Sequence, residues 1–152
     1  MAVEREESES QMTDIEIIFR TPSSAECNRI QAAVGWREAP TAVLETAFRN
    51  SLVVVCATAD GKVIGMGRVV GDLTTWNYIQ HVIVLPDWQK LGVGRRIMRA
   101  LLGWLAEHAP PTSNCALVCR RHNVAFYERF GLREFVAEVP GMRMKLREAV
   151  TT

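Results

Sequence analysis

Residues 89–94 read Gln-Lys-Leu-Gly-Val-Gly and join an apolar run, 78–86, to an amphipathic stretch that opens Arg95-Arg96. Glycines at a strand-to-helix junction let the main chain approach a ligand closely, because they carry no Cβ. The first turn of a helix offers free N–H groups and roughly half a positive charge from its macrodipole. Lys90, Arg95, Arg96 and Arg99 add cations around the same turn. Together these features suit a phosphate, and above all a pyrophosphate. A Walker loop would continue Gly-Lys-Ser/Thr, yet Gly94 is followed by Arg95-Arg96. A dinucleotide fingerprint needs a third glycine where Ile97 stands. On these residues alone, a glycine-eased turn with no ligand explains the pair equally well.

The elements around this turn are legible from periodicity. Residues 15–20 alternate as a first strand, and 21–34 read as a capped helix closed by Gly35. A second helix begins near Pro40, with Val43, Leu44, Ala47 and Phe48 at helical spacing. Two β-rich runs, 51–59 and 62–72, flank Asp60-Gly61, a hairpin turn pair. Residues 76–86 form a strand ending at Pro86. A long helix follows, with Ile97, Met98, Leu101, Leu102 and Leu105 on one face. Residues 114–119 read as a short buried strand, and 123–131 as a short helix with Asn123 as N-cap and Gly131 beyond its end. Residues 133–139 and 142–146 read as a closing strand pair around Pro140-Gly141. The order β-α-α-β-β-β-α-β-α-β-β gives a mixed sheet with helices.

Composition sets the outer limits. The chain has 152 residues, enough for one domain with a real core. Residues 1–13 are acidic and Ser-rich and read as a disordered tail, leaving a single domain over 14–148. Lys plus Arg, 18, nearly balances Asp plus Glu, 17, so no overall field draws nucleic acid or an anionic membrane. The acidic start is unlike a signal peptide, and no apolar run approaches the ~20 residues that span a bilayer, so a cytoplasmic protein is expected. Cys27, Cys56, Cys115 and Cys119 have neither CxxC nor zinc spacing and read as reduced thiols. No metal site is expected.

The pattern Gln89-x-x-Gly92-x-Gly94, after a strand ending Val-Ile-Val-Leu-Pro and before a long helix, resembles the acetyl-CoA motif of the GNAT N-acetyltransferase superfamily. Residues 116–135 are similar to the corresponding segment of arylalkylamine N-acetyltransferases, with Phe126, Tyr127, Arg129, Phe130 and Gly131 as its core. The likeness runs from about residue 15 to 147 in element order. It implies an α/β (α+β) fold: a central mixed, largely antiparallel sheet flanked by about four helices. It also implies that acetyl-CoA is the cosubstrate, its pyrophosphate resting on Gln89, Lys90, Leu91, Gly92, Val93, Gly94 and Arg95. The pantetheine arm would lie along Val82, Ile83 and Val84 as an added strand. Asn123 matches a position that touches the arm, though a plain N-cap role is at least as natural. Tyr127 matches the general acid that protonates the departing sulfur.

The resemblance breaks at the base. Positions that carry Glu or His in relatives hold Tyr78 and Gln80, neither of which is a good base at neutral pH. They would hold a water chain that carries the proton out. His81 should point to the opposite face by strand alternation and serve a structural role. Trp36, Phe48, Trp76 and Tyr78 are candidates to line the acceptor slot, with Trp36 and Phe48 equally suited to packing helices on the sheet. The implied reaction is direct transfer of acetyl to a primary amine, expected on a small molecule, in a ternary complex. A protein or peptide acceptor, or a non-catalytic acyl-CoA sensor, are the alternatives. A homodimer is expected, formed through exposed sheet edges.

Overall fold

A computed structural model describes residues 14–146. The chain divides into two compact units, one ending at Leu117 and one beginning at Val118, each described by itself. The first contains a five-stranded sheet in the order β1-β2-β3-β4-β5: Ile15–Ile18, Val53–Ala59, Lys62–Gly71, Trp76–Val84 and Asn114–Ala116. The first four strands are antiparallel neighbours and β5 lies parallel to β4. The expected mixed, largely antiparallel sheet is therefore present. Its helices are α1 (Ser24–Ala33), α2 (Thr41–Arg49) and α3 (Val93–His108).

Local chemistry explains the boundaries. Ser23 accepts the Glu26 N–H at 3.0 Å while Glu26 accepts the Ser23 N–H at 3.2 Å, a capping box that starts α1. Arg20 grips the Glu26 carboxylate with two nitrogens, at 3.2 and 3.0 Å, and that contact is the main reason its pKa falls. Asp60 and Gly61 take φ of 49° and 74°, the paired left-handed values of a type I′ turn between twisted strands. Asp72 holds the next turn by accepting N–H groups from Thr74, Thr75 and Trp76.

The two faces of the sheet are covered differently. Cys27, Leu44, Phe48, Val54 and Met66 form a buried cluster that joins α1 and α2 to β2 and β3. The alternate residues Gly65 and Gly67 face α3. A Cβ on Gly67 would stand 2.7 Å from Ile97 Cγ2 and 2.9 Å from Leu101 Cδ1, so glycine there lets the long helix sit close to the strand. Val93, Ile97, Met98, Leu101 and Leu105 make the buried face of α3.

The second unit contains α4 (Val124–Glu128), preceded by a 3-10 turn at Arg121–Asn123. The closing strand pair expected at 133–139 and 142–146 is absent among the described residues. The Val139 N–H instead bonds the Val136 carbonyl at 2.9 Å, closing a turn where extended chain was expected. Two short strands by themselves bury too little apolar surface to persist, and here Phe135, Val136 and Met142 are exposed. The strand expected over 114–119 stops at Ala116, and the thiols divide: Cys27 and Cys56 are buried while Cys115 is exposed. The acidic tail lies outside the described residues.

Candidate active site

The glycine turn is built as an open helix start. Gly92 precedes α3 with φ of 83°, a left-handed value that favours glycine, and nothing lies within 4 Å of where its Cβ would be. Lys90 is also left-handed, with φ of 62°. No side chain caps the helix, and its first main-chain bond runs from the Arg96 N–H to the Gly92 carbonyl at 3.1 Å. The N–H groups of Val93, Gly94 and Arg95 thus precede the helical ladder and remain available to an anion. Leu91 completes the turn, and Gln89 ties it to β4 by donating from Nε2 to the Val84 carbonyl at 3.0 Å.

Strand β4 is open on one flank. Its last pair with β5 is Tyr78–Ala116, so Ile79 to Val84 have no strand partner on that side among the described residues. The Leu85 N–H bonds the Ile64 carbonyl at 2.8 Å, which makes Val84 and Gly65 a non-hydrogen-bonded pair. The main-chain groups of Val84 therefore face the open flank. The main chain of Ile83 faces β3, and its side chain packs with Ile30, Cys56 and Val63.

A register shift interrupts β4 between the pairs Met66–Ile83 and Arg68–Gln80. Two residues, His81 and Val82, stand opposite the single Gly67, and His81 adopts φ of 55°. This bulge defeats strict alternation. His81 turns to the same face as Gln80 rather than the opposite one, because an αL residue re-aims its side chain. Both meet Arg68, whose importance periodicity did not reveal. Its signal was a charged residue at an inward position of the run Val63–Val70.

Arg68 polarises everything around it. Its Nε donates to His81 Nδ1 at 2.8 Å, its Nη1 to Ser51 Oγ at 3.1 Å, and its Nη2 to Gln80 Oε1. With Nδ1 accepting, the neutral imidazole carries its proton on Nε2, which donates to Gln31 Oε1 at 3.1 Å. The Gln31 amide donates in turn to Asn28 Oδ1 at 3.0 Å, which also accepts the Ala39 N–H. Trp36 and Phe48 each place their ring centroid 6.4 Å from that of His81. Trp76 lies at the far start of β4, paired with Asn114, and Tyr78 is half-buried between Val70 and Ala116 in register.

Burial first, and the Arg68 charge second, push the His81 imidazole from 6.5 down to about 4. The fold favours the neutral ring, so this stabilisation is present above pH 6.5 and is lost as pH falls towards about 4. The shift corresponds to about 3 kcal/mol. The urea midpoint of the wild type should therefore drop across this window. His81→Asn tolerates the left-handed backbone and keeps an acceptor for Arg68, so its profile should be flatter. Parallel profiles would contradict this assignment.

In the second unit Asn123 and Tyr127 stand on the 3-10 turn and α4. Asn123 makes no side-chain cap bond. Phe126 meets Tyr127 edge-on at 5.0 Å and Phe130 at 5.4 Å, so the tyrosine shares an aromatic cluster with both phenylalanines. Burial, with Cys119 as the smaller cause, raises the phenol pKa to about 12. Gly131 is left-handed at φ of 91° and bonds the Glu128 carbonyl at 3.0 Å, closing the segment. A hollow of about 470 Å³ beside Phe48, Ser51, Trp104 and Glu107 lies near the other end of α3 and includes no residue of the glycine turn.

The open helix start thus stands at the end of a strand with a free flank, an arrangement suited to an anion. Residues 15–132 match the acetyltransferase (GNAT) family, and the chain belongs to it. A protein of unknown function from meticillin-resistant Staphylococcus aureus, described as a probable acetyltransferase, superposes with a TM-score of 0.81 at 22% identity, covering 86% of this chain and 98% of that one. A GNAT family acetyltransferase from Brucella melitensis, in complex with acetyl-CoA, superposes with a TM-score of 0.62 at 22% identity over 85% of this chain and 91% of its own. A histone acetyltransferase of Glycine max is 26% identical over 151 residues, which span 90% of this chain and 64% of that protein. No described helix is long and apolar enough to cross a membrane, and the described residues hold no cluster of metal-ligating side chains.

Proposed function

We propose that the chain transfers the acetyl group of acetyl-CoA to the primary amine of a small molecule, with both substrates bound at once. The observation that carries this is the uncapped, left-handed start of α3, with open space at Gly92, at the end of a strand whose flank is free. The main chain of residues 90–95 would take the pyrophosphate, with Lys90 and Arg95 beside it. The main chains of Val82 and Val84 would receive the pantetheine arm, which Asn123 would touch. Bound acetyl-CoA supplies a thioester carbonyl open to attack.

The Val84 N–H would polarise that carbonyl. Tyr127, its pKa raised to about 12, stays protonated at neutral pH and would serve as proton donor to the thiolate. Tyr78 and Gln80 would hold the water through which the amine loses its proton. His81 does not compete for that proton, because one ring nitrogen accepts from Arg68 and the other is engaged with Gln31. The finer affinity to the arylalkylamine branch rests on the segment Phe126–Gly131.

A protein acceptor is the second reading, favoured by the histone acetyltransferase relative. Incubation with acetyl-CoA and a panel of amines, read by free thiol and by the mass of the product, separates the two. Small amines should release thiol, and lysine-bearing peptides should not. Release with peptides alone would favour the second reading.

A further inference from the structure

We infer that the amine acceptor also bears a carboxylate, received by the amide of Gln80 with Arg68 behind it; this rests on the acetyl-transfer reading above. Arg68 is the one charged side chain among the described residues that is buried, at 7% exposure. Its hydrogen-bond partners are all neutral: an imidazole, a carboxamide, a hydroxyl and the Ala47 carbonyl. The ion pairs found among the described residues, Arg20–Glu26 and Arg121–Glu134, lie elsewhere. A buried cation without a counter-charge is costly, and an arriving anion removes that cost.

The orientation of Gln80 says where such an anion would dock. Arg68 has only donors, so it draws Oε1 of Gln80 inward. The Nε2 hydrogens of this exposed residue are thereby turned outward. Donors thus face solvent on the side of β4 that Arg68 shares, with a fixed positive charge behind them. Trp36 and Phe48 supply an apolar wall beside the same bulge. An ordinary amine gains nothing from this charge, and its ammonium form is repelled by it. An amino acid uses it.

The test is calorimetric titration of the full chain, saturated with CoA, with common amino acids and with the amide of each. At least one acid should bind about 10-fold or more tightly than its own amide. Gln80→Glu sets a carboxylate against Arg68 and should abolish that preference while acetyl-CoA affinity is retained. Equal binding of acid and amide throughout, or no binding by any of them, would overturn the inference. So would a Gln80→Glu chain that still prefers the acid. Binding is read without turnover, so a failure of acetyl transfer would appear separately, as missing thiol release.

Discussion

Gly92→Glu is expected to weaken acetyl-CoA binding by about 100-fold, or about 2.7 kcal/mol, while the chain still folds. Three effects act together. The left-handed φ of 83° resists any residue with a Cβ, at roughly 1 kcal/mol. The new side chain would occupy space that is open now. Its carboxylate would stand where the helix start favours an anion, competing with the pyrophosphate for the same N–H groups. Gly92→Asn separates these effects, because asparagine tolerates αL and carries no charge. It should lose far less affinity. Calorimetric titration with acetyl-CoA measures both, and a Gly92→Glu chain that binds normally would reduce the turn to a structural device.

Tyr127→Phe is expected to lower kcat by about 100-fold or more, the scale on which a positioned general acid contributes. Acetyl-CoA affinity should change little, because the ring is kept and only the hydroxyl is lost. The aromatic contacts with Phe126 survive the substitution, so the fold should survive as well. Because the phenol titrates near 12, the wild-type rate should show no loss of this acid through neutral and mildly alkaline pH. Single-turnover kinetics with separately measured affinity decides the matter. Equal losses in rate and in affinity would make Tyr127 a packing residue.

The sequence was most informative where one local rule governs. The Asp60-Gly61 turn, the Ser23 cap, the apolar face of α3 and the Gly92 helix start each follow from a few neighbouring residues. Arg68 and His81 did not, because their roles depend on a bulge that places two residues opposite Gly67. Strand periodicity assumes a constant alternation, and a single left-handed residue breaks it without any mark in composition. The expected closing strands fail for a related reason. Alternating apolar residues signal a strand only when a partner edge completes the ladder, and 133–146 have none among the described residues. Motif spacing could locate the open helix start at Gly92, but not the polarity that Arg68 imposes on Gln80, His81 and Gln31.

That polarity bears directly on the missing base. A histidine beside the reacting strand would ordinarily be the first candidate for proton removal. Here its ring is held neutral between a guanidinium and a carboxamide, so in the proposed reaction the proton would leave by another route. Water near Tyr78 and Gln80 would meet that need, and an amine that arrives uncharged would reduce it.

Acetyl transfer itself is tested most directly by thiol release from acetyl-CoA in the presence of small primary amines, with the product mass confirming where the acetyl group goes. The expected result is amine-dependent release and a singly acetylated amine. Tight acetyl-CoA binding with no amine-dependent release from small amines or peptides would contradict it and leave a protein that only senses the cosubstrate.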